Sequence, residues 1–225
     1  VREGRVDLVA LGRSLMAYAY LPKKYQLGTP EEIAPCIACN ECVAMEDRGW
    51  QLHCVINPLL SSEYLHPVKP AGKSRKVLVV GGGPAGMQCA ITAAMRGHRV
   101  TLVEKADRLG GQLLAAGTAA YKSKEMEAFL RYLSTMLEKH QVEVRLGAEV
   151  KGPESLKEKP EVVVLALGAV PKCPEFGGSE KVPTAFEVLM SKAQGIGQRV
   201  VVIGSSGVGI DVALYLMQSE GRQVT

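Results

Sequence analysis

Residues 75–104 read RKVLVVGGGPAGMQCAITAAMRGHRVTLVE, and this stretch decides the fold. Val77 to Val80 make a short continuous apolar run, the pattern of a strand buried on both faces. The period then lengthens, with Met87, Ala90, Ile91 and Ala94 at helical spacing, and Val100 to Val103 return to a strand. Between the first strand and the helix stand Gly81, Gly83 and Gly86 in the order G-x-G-x-x-G, and Glu104 closes the second strand 18 residues after the third glycine. Each position has a physical reason. Gly81 permits a tight turn, Gly83 lacks a Cβ so that backbone can approach a pyrophosphate, and Gly86 lets the helix pack close to the strand. Pro84 and Ala85 open the helix, whose first amides face the anion, and Glu104 accepts hydrogen bonds from ribose hydroxyls. Strand, triplet, helix, strand and acid in register predict a Rossmann unit that binds a dinucleotide. FAD and NAD share the ADP half, so this pattern alone leaves the choice between them open.

Working outward, a long helix is expected over about Lys122 to Lys139, with Met126, Phe129, Leu130, Leu133 and Leu137 on one face. Strands are expected at Val142 to Leu146 and Val162 to Leu167. The opening pattern then recurs in residues 199–218, RVVVIGSSGVGIDVALYLMQ. Here the strand Val200 to Ile203 runs into Gly204-x-Ser206-x-x-Gly209 and a helix carrying Val212, Ala213 and Leu216. Asp211 follows shortly after the third glycine. Ser206 replaces the middle glycine and hinders the approach of a pyrophosphate, although Gly207 beside it gives the loop room to shift. Two readings stay open for this second unit, NAD(P)H binding or a domain that is vestigial or holds only ADP.

Upstream, four of the six cysteines crowd a 19-residue window as Cys36-x2-Cys39-x2-Cys42-x11-Cys54. The window shows no periodicity and reads as a loop, ending at Asn57-Pro58, with Pro67, Pro70 and Gly72 marking a linker. Three thiolates on a tight loop and a fourth returning from further on suit a cubane [4Fe–4S] cluster, and four thiolates also suit tetrahedral zinc. The neighbouring dinucleotide unit favours the cluster, because a one-electron carrier has a redox role beside a flavin and zinc has none. His53 reads as a surface or outer residue, and Cys89 and Cys173 as thiols that ligate nothing. Further upstream, Val6 to Leu11 reads as a compact strand, followed by a helical pattern through Leu15 and Met16.

Composition narrows the classes. With 47% apolar and 22% charged residues the chain is globular. Its net charge of +4 is spread along the chain, and one Trp and three Phe leave little for base stacking, which argues against a nucleic-acid partner. Apolar runs such as Val162 to Leu167 fall far short of the ~18 residues a membrane span needs, and no signal-peptide pattern opens the sequence. A cytoplasmic protein is expected. The start at Val1 and the stop at Thr225 read as those of a fragment.

With these residues in hand the chain resembles the old-yellow-enzyme-related iron–sulfur flavoproteins, which include 2,4-dienoyl-CoA reductase, the 2-enoate reductases and trimethylamine dehydrogenase. GRVDLVALGRSLM is similar to the last strands and helix of their barrel, CIACNEC…CVINP to their cluster loop, and VLVVGGGPAGMQCA to their FAD fingerprint. Glu104-Lys105, Gly110-Gly111-Gln112 and Ala166-Leu167-Gly168 resemble the FAD contacts, with Leu167 where the pattern usually has Thr. The resemblance implies an α/β architecture: the end of an FMN-binding TIM barrel over 1–30, a [4Fe–4S] loop and linker over 31–74, a Rossmann-like FAD domain over 75–185, and the start of a Rossmann-like NAD(P)H-binding domain over 186–225. It implies that Gly12 and Arg13 hold the FMN phosphate, that Cys36, Cys39, Cys42 and Cys54 hold the cluster, and that Gly204, Ser206, Gly209 and Asp211 serve NAD(P)H. The implied activity is reduction of an activated C=C bond in a small enoate or enoyl-CoA, with electrons passing from NAD(P)H to FAD, the cluster and FMN. No substrate-reducing residue falls in this fragment, because those belong to the remainder of the barrel. Departures point both ways. Tyr18-Ala19 stand where Asp-Pro is common, so that helix ends differently. The Cys39-x2-Cys42 spacing resembles the amine dehydrogenases, whereas IGSSGVGIDVALYLMQ resembles the reductases. An amine dehydrogenase and a bare electron-transfer module, like the small subunit of glutamate synthase, are the alternatives.

Overall fold

Val77, Leu78, Val79 and Val80 are all buried, which a strand achieves only at the centre of a sheet covered on both faces. The computed structural model describes residues 3–152, 159–172, 175–191 and 193–225. In it, β1 (Lys76–Val80) is flanked on one side by β2 (Arg99–Val103) and on the other by β4 (Val162–Leu165), and β3 (Glu143–Arg145) lies beyond β2. All three pairings are parallel, with Val77 opposite Val100 and Val162. The order β3-β2-β1 is that of one mononucleotide-binding half of a Rossmann fold, with β4 added on the other side of β1.

Helix α4 (Pro84–Met95) crosses from β1 to β2 and turns Met87, Ala90 and Ile91 fully inward. Helix α6 (Ser123–Lys139) packs beside it through Met126, Phe129, Leu133, Met136 and Leu137, close to the face expected from spacing, with Leu130 only partly buried. Between them runs the short α5 (Gln112–Ala116). A second, smaller core joins Ala115 of α5 to Val188 and Leu189 of α7 (Ala185–Leu189) and to Val212 and Leu216 of α8 (Gly207–Glu220). Thr184 starts α7 with a reciprocal capping box to Glu187. The strand expected at Val200 to Ile203 is found over β5 (Arg199–Val200), which pairs in parallel with β6 (Gln223–Val224). One further ladder bond, Val202 N–H to the Thr225 carbonyl at 2.9 Å, extends the pairing.

Two expectations for the N-terminal part are corrected. Val6 to Leu11 forms no strand among the described residues, and Leu8 is 90% exposed. A parallel strand exists through its neighbours' hydrogen bonds, and among the described residues no strand lies beside this segment. The cysteine window is not all loop, since α3 (Glu41–Asp47) forms within it and carries Cys42. Upstream, α1 (Arg13–Ala17) stops where Tyr18 turns extended, and α2 (Leu21–Gln26) follows. Ala17, Ala34 and Ile56 are buried in the same core as α4 and α6, so the cysteine segment packs directly on the first Rossmann unit. Glu32 strengthens that contact by pairing with Lys24 and Lys139, and the hydrogen bonds from Lys139 and then Lys24 hold its carboxyl below the usual range. Among the described residues no helix is long and apolar enough to cross a membrane.

Candidate functional site

Three turns meet at the C-terminal end of β1. The first is the glycine loop. Gly81 has φ +113°, a conformation that favours glycine, and a Cβ there would stand 2.2 Å from the Ala166 carbonyl oxygen. A Cβ on Gly86 would stand 1.9 Å from the Gly81 oxygen, so that glycine is required for helix α4 to approach the strand. Gly83 is different in kind. Its φ of −74° and ψ of 173° suit any residue, and no protein atom lies within 4 Å of where its Cβ would be. Neither strain nor packing calls for glycine at 83, and the open space beside it lies at the N-terminus of a 12-residue helix. This is the space a pyrophosphate requires.

Glu104 leaves β2 and reaches back to that loop. Its Oε2 accepts from the Gly82 amide at 2.6 Å and its Oε1 from Ala106 at 2.8 Å, which fixes the carboxylate at the loop's rim with lone pairs left for ribose hydroxyls. Gly82 was not singled out by the triplet pattern. A Cβ there would meet the Leu109 side chain at 2.6 Å and the Glu104 Cβ at 3.0 Å, so a larger residue would have to push that leucine of the second turn aside.

That second turn is Leu109 to Gln112. The Gly110 amide donates to the Gly82 carbonyl at 2.9 Å, and a Cβ on Gly111 would lie 3.1 Å from the Gly83 Cα. Gly110 and Gly111 both have positive φ. The third turn follows β4. The Ala166 amide continues the ladder to Val80, its methyl packs near Gly86, and Gly168 takes φ +76°. Gln112 ties the second and third turns together, its Nε2 donating to the Ala169 carbonyl at 2.7 Å. Gly81, Gly83, Pro84, Gly86, Glu104, Gly110, Gly111, Gln112, Ala166 and Gly168 thus belong to or adjoin three turns that these contacts join, while Ala85 and Lys105 are exposed.

The second glycine loop repeats the first in backbone geometry. Gly204 has φ +113°, Ser206 caps α8 with φ −72° and ψ 173°, and a Cβ on Gly209 would stand 1.9 Å from the Gly204 oxygen. Ser206 thus sits in ordinary extended backbone and is exposed, so the turn forms without a middle glycine. Asp211 is buried on α8. Its two oxygens accept from Tyr121 and Lys122.

Cys36, Cys39, Cys42 and Cys54 line one cavity with Arg13, Met16, Ile37, Asn40, Val55 and Ile56. Ala38 and Asn40 adopt left-handed backbone, which curls the loop between the first three cysteines. Asn57 fastens the returning strand of the loop, donating to the Met16 carbonyl at 2.8 Å. Among the described residues no three His, Cys, Asp or Glu side chains meet where a single metal ion could bind. Four thiols around one cavity are a donor set for a [4Fe–4S] cluster or for tetrahedral zinc. Arg13 donates to Asn40 Oδ1 at this cavity's edge, and Gly12 caps α1 beside it. Exposed His53 stands 3.9 Å from Glu41 and does not line the cavity. Burial pushes the Cys89 thiol up, away from the thiolate form a ligand needs, and Cys173 lies outside the described residues.

Comparison with known proteins follows the same lines. The model of the pyridine nucleotide-disulphide oxidoreductase family matches residues 75–225, which supports FAD and NAD(P)H as the ligands of this region. The chain is 41% identical to an NADH oxidase of Thermoanaerobacter brockii over all its length and 36% of the relative's. It is 36% identical to a cinnamate reductase of Clostridium sporogenes, again over all its length and 34% of the relative's. The structure of a 2-naphthoyl-CoA reductase complexed with 2-naphthoyl-CoA superposes with a TM-score of 0.91 at 35% identity, over 99% of this chain and 34% of that one. The chain thus spans about a third of the length of the proteins it matches.

Proposed function

From the premise that the chain belongs to the pyridine nucleotide-disulphide oxidoreductases, among the old-yellow-enzyme-related FAD and iron–sulfur flavoproteins, we propose that the whole protein is an NAD(P)H-dependent flavin oxidoreductase that reduces an activated C=C bond. The observation that carries this reading is the pair of glycine loops with one backbone geometry, on a fold whose core also holds the four-thiol loop. The first loop takes FAD: Gly83 and the α4 amides receive the pyrophosphate, Glu104 the ribose, and the Gly110–Gln112 and Ala166–Gly168 turns the flavin side. The second takes NAD(P)H through Gly204, Ser206 and Gly209. Cys36, Cys39, Cys42 and Cys54 hold a [4Fe–4S] cluster. Gly12 and Arg13 belong to the FMN phosphate site, for which Arg13 retains donors beyond the one given to Asn40. When bound, these groups supply hydride acceptance at the flavins and one-electron transfer at the cluster.

The substrate class is an α,β-unsaturated carboxylate or thioester, the chemistry named for the cinnamate and naphthoyl-CoA relatives. Anaerobic mixing of the whole protein with NADH or NADPH and such a compound tests this. Oxidation of the nucleotide that depends on the alkene is expected. Oxidation of methylated amines with no reaction toward either nucleotide would establish the amine dehydrogenase alternative.

Ser206 supplies a finer test. Because its backbone is unstrained, its only effect on the nucleotide comes from the hydroxymethyl group. Ser206→Gly is expected to leave flavin and iron content unchanged and to tighten NAD(P)H by up to tenfold, ~1.4 kcal/mol, in an equilibrium titration. Weaker binding by the variant would show that the hydroxyl donates to a phosphate oxygen rather than obstructing it.

A further inference from the structure

Asp211 is the one charged side chain buried among the described residues, at 6% exposure. It belongs to α8, the helix opened by the second glycine loop, yet both its partners lie between α5 and α6 in the first unit. Tyr121 Oη donates to Oδ1 at 2.6 Å and Lys122 Nζ to Oδ2 at 2.5 Å. The Lys122 ammonium also lies 5.5 Å from the centre of the Tyr121 ring, so the two donors form one group. A carboxylate withdrawn from water requires such partners, and losing one leaves an uncompensated buried charge. Around it Ala115 packs against Val188, Val212 and Leu216. That apolar contact is non-directional and would permit the units to slide or rotate. Two donors on separate oxygens of one carboxylate give the contact a direction. Asp211 also lies only four residues past Gly207, the first residue of α8, so fixing it fixes where the second glycine loop points.

We propose that Tyr121 and Lys122 latch onto the buried carboxylate of Asp211 and so set the orientation of the NAD(P)H unit on the FAD unit, and that Asp211 is a positioning residue for transfer between the two dinucleotides rather than a nucleotide contact. The transfer part of this proposal rests on the functional reading above. The latch itself rests on the interface alone.

Two measurements on the whole protein separate them. Amide hydrogen exchange needs no activity. Asp211→Asn is expected to raise exchange together in residues 119–123 and 207–216, by roughly tenfold, the scale of one lost buried interaction. Unchanged exchange in both segments overturns the latch. In stopped-flow reduction of the flavin by NADH or NADPH, Asp211→Asn and Lys122→Met are each expected to lower the limiting rate constant about tenfold, because reacting atoms are held less well, with the half-saturating concentration within about twofold of wild type. Lys122→Arg retains most of the rate, and the double variant is no slower than Lys122→Met, as residues acting as one unit require. A raised half-saturating concentration with an unchanged limiting rate constant overturns the positioning role and returns Asp211 to nucleotide binding. Raised exchange in a protein whose wild type neither nucleotide reduces leaves the latch in place and removes the functional reading instead. If Asp211→Asn does not fold, Tyr121→Phe, which removes one donor from a residue 63% exposed, is read by the same criteria.

Discussion

Gly83→Val is expected to yield a folded protein that has lost its FAD. The two halves of that outcome have separate causes. The backbone at Gly83 is in the extended region that valine prefers, and no protein atom within 4 Å opposes a Cβ, so the substitution costs the polypeptide little. The added methyl groups instead fill the space at the N-terminus of α4 where the pyrophosphate must lie. Acid-released FAD should fall to less than about a tenth of wild type, a loss exceeding ~1.4 kcal/mol in binding, while circular dichroism stays unchanged. Gly86→Val gives the contrast. There the Cβ would overlap the Gly81 oxygen at 1.9 Å, and the helix cannot pack without moving, so loss of FAD comes with loss of structure. Stoichiometric FAD in folded Gly83→Val would mean that the loop serves another ligand.

Cys39→Ala is the second large effect. Cys36, Cys39 and Cys42 share one tight turn, and removing its central thiol leaves three ligands for a group that requires four. The broad visible absorption of the cluster should disappear, with iron near zero, whereas FAD should remain because its three turns begin at Gly81. Arg13, Met16 and Asn57 are expected to keep the emptied loop attached to α1. Loss of FAD together with the cluster would show that the two sites fold as one.

How much of this was legible beforehand depends on the range of the forces involved. The first Rossmann unit was, because its signals are local: a four-residue apolar run, a glycine triplet and a helical period, each of which β1, α4 and β2 reproduce within a residue or two. Gly86 and Gly81 could be assigned from pattern for the same reason. Gly82 could not, since the Leu109 side chain that crowds it comes from the second turn, which no local pattern places there. Helix α3 was missed because seven residues are too few to show a period, and its start depends on left-handed backbone at Asn40. Val6 to Leu11 has the composition of a strand, but strand formation needs a neighbour, which composition does not report. At Ser206 the negative φ shows that the turn forms without a glycine, so the departure from the pattern lies wholly in the hydroxymethyl group. Asp211 lies 89 residues from Lys122, and no periodicity could have paired them.

In the proposed arrangement a cubane-holding thiol loop and an FAD site stand side by side on one folded unit, within a protein that also holds FMN. Its most direct test is the iron, acid-labile sulfide, zinc and acid-released flavin content of the whole protein purified anaerobically. About four irons and about four sulfides per chain, the content of one cubane, are expected, with FAD and FMN in nearly equal amounts and no zinc. Zinc without iron, or FMN without FAD, would contradict it.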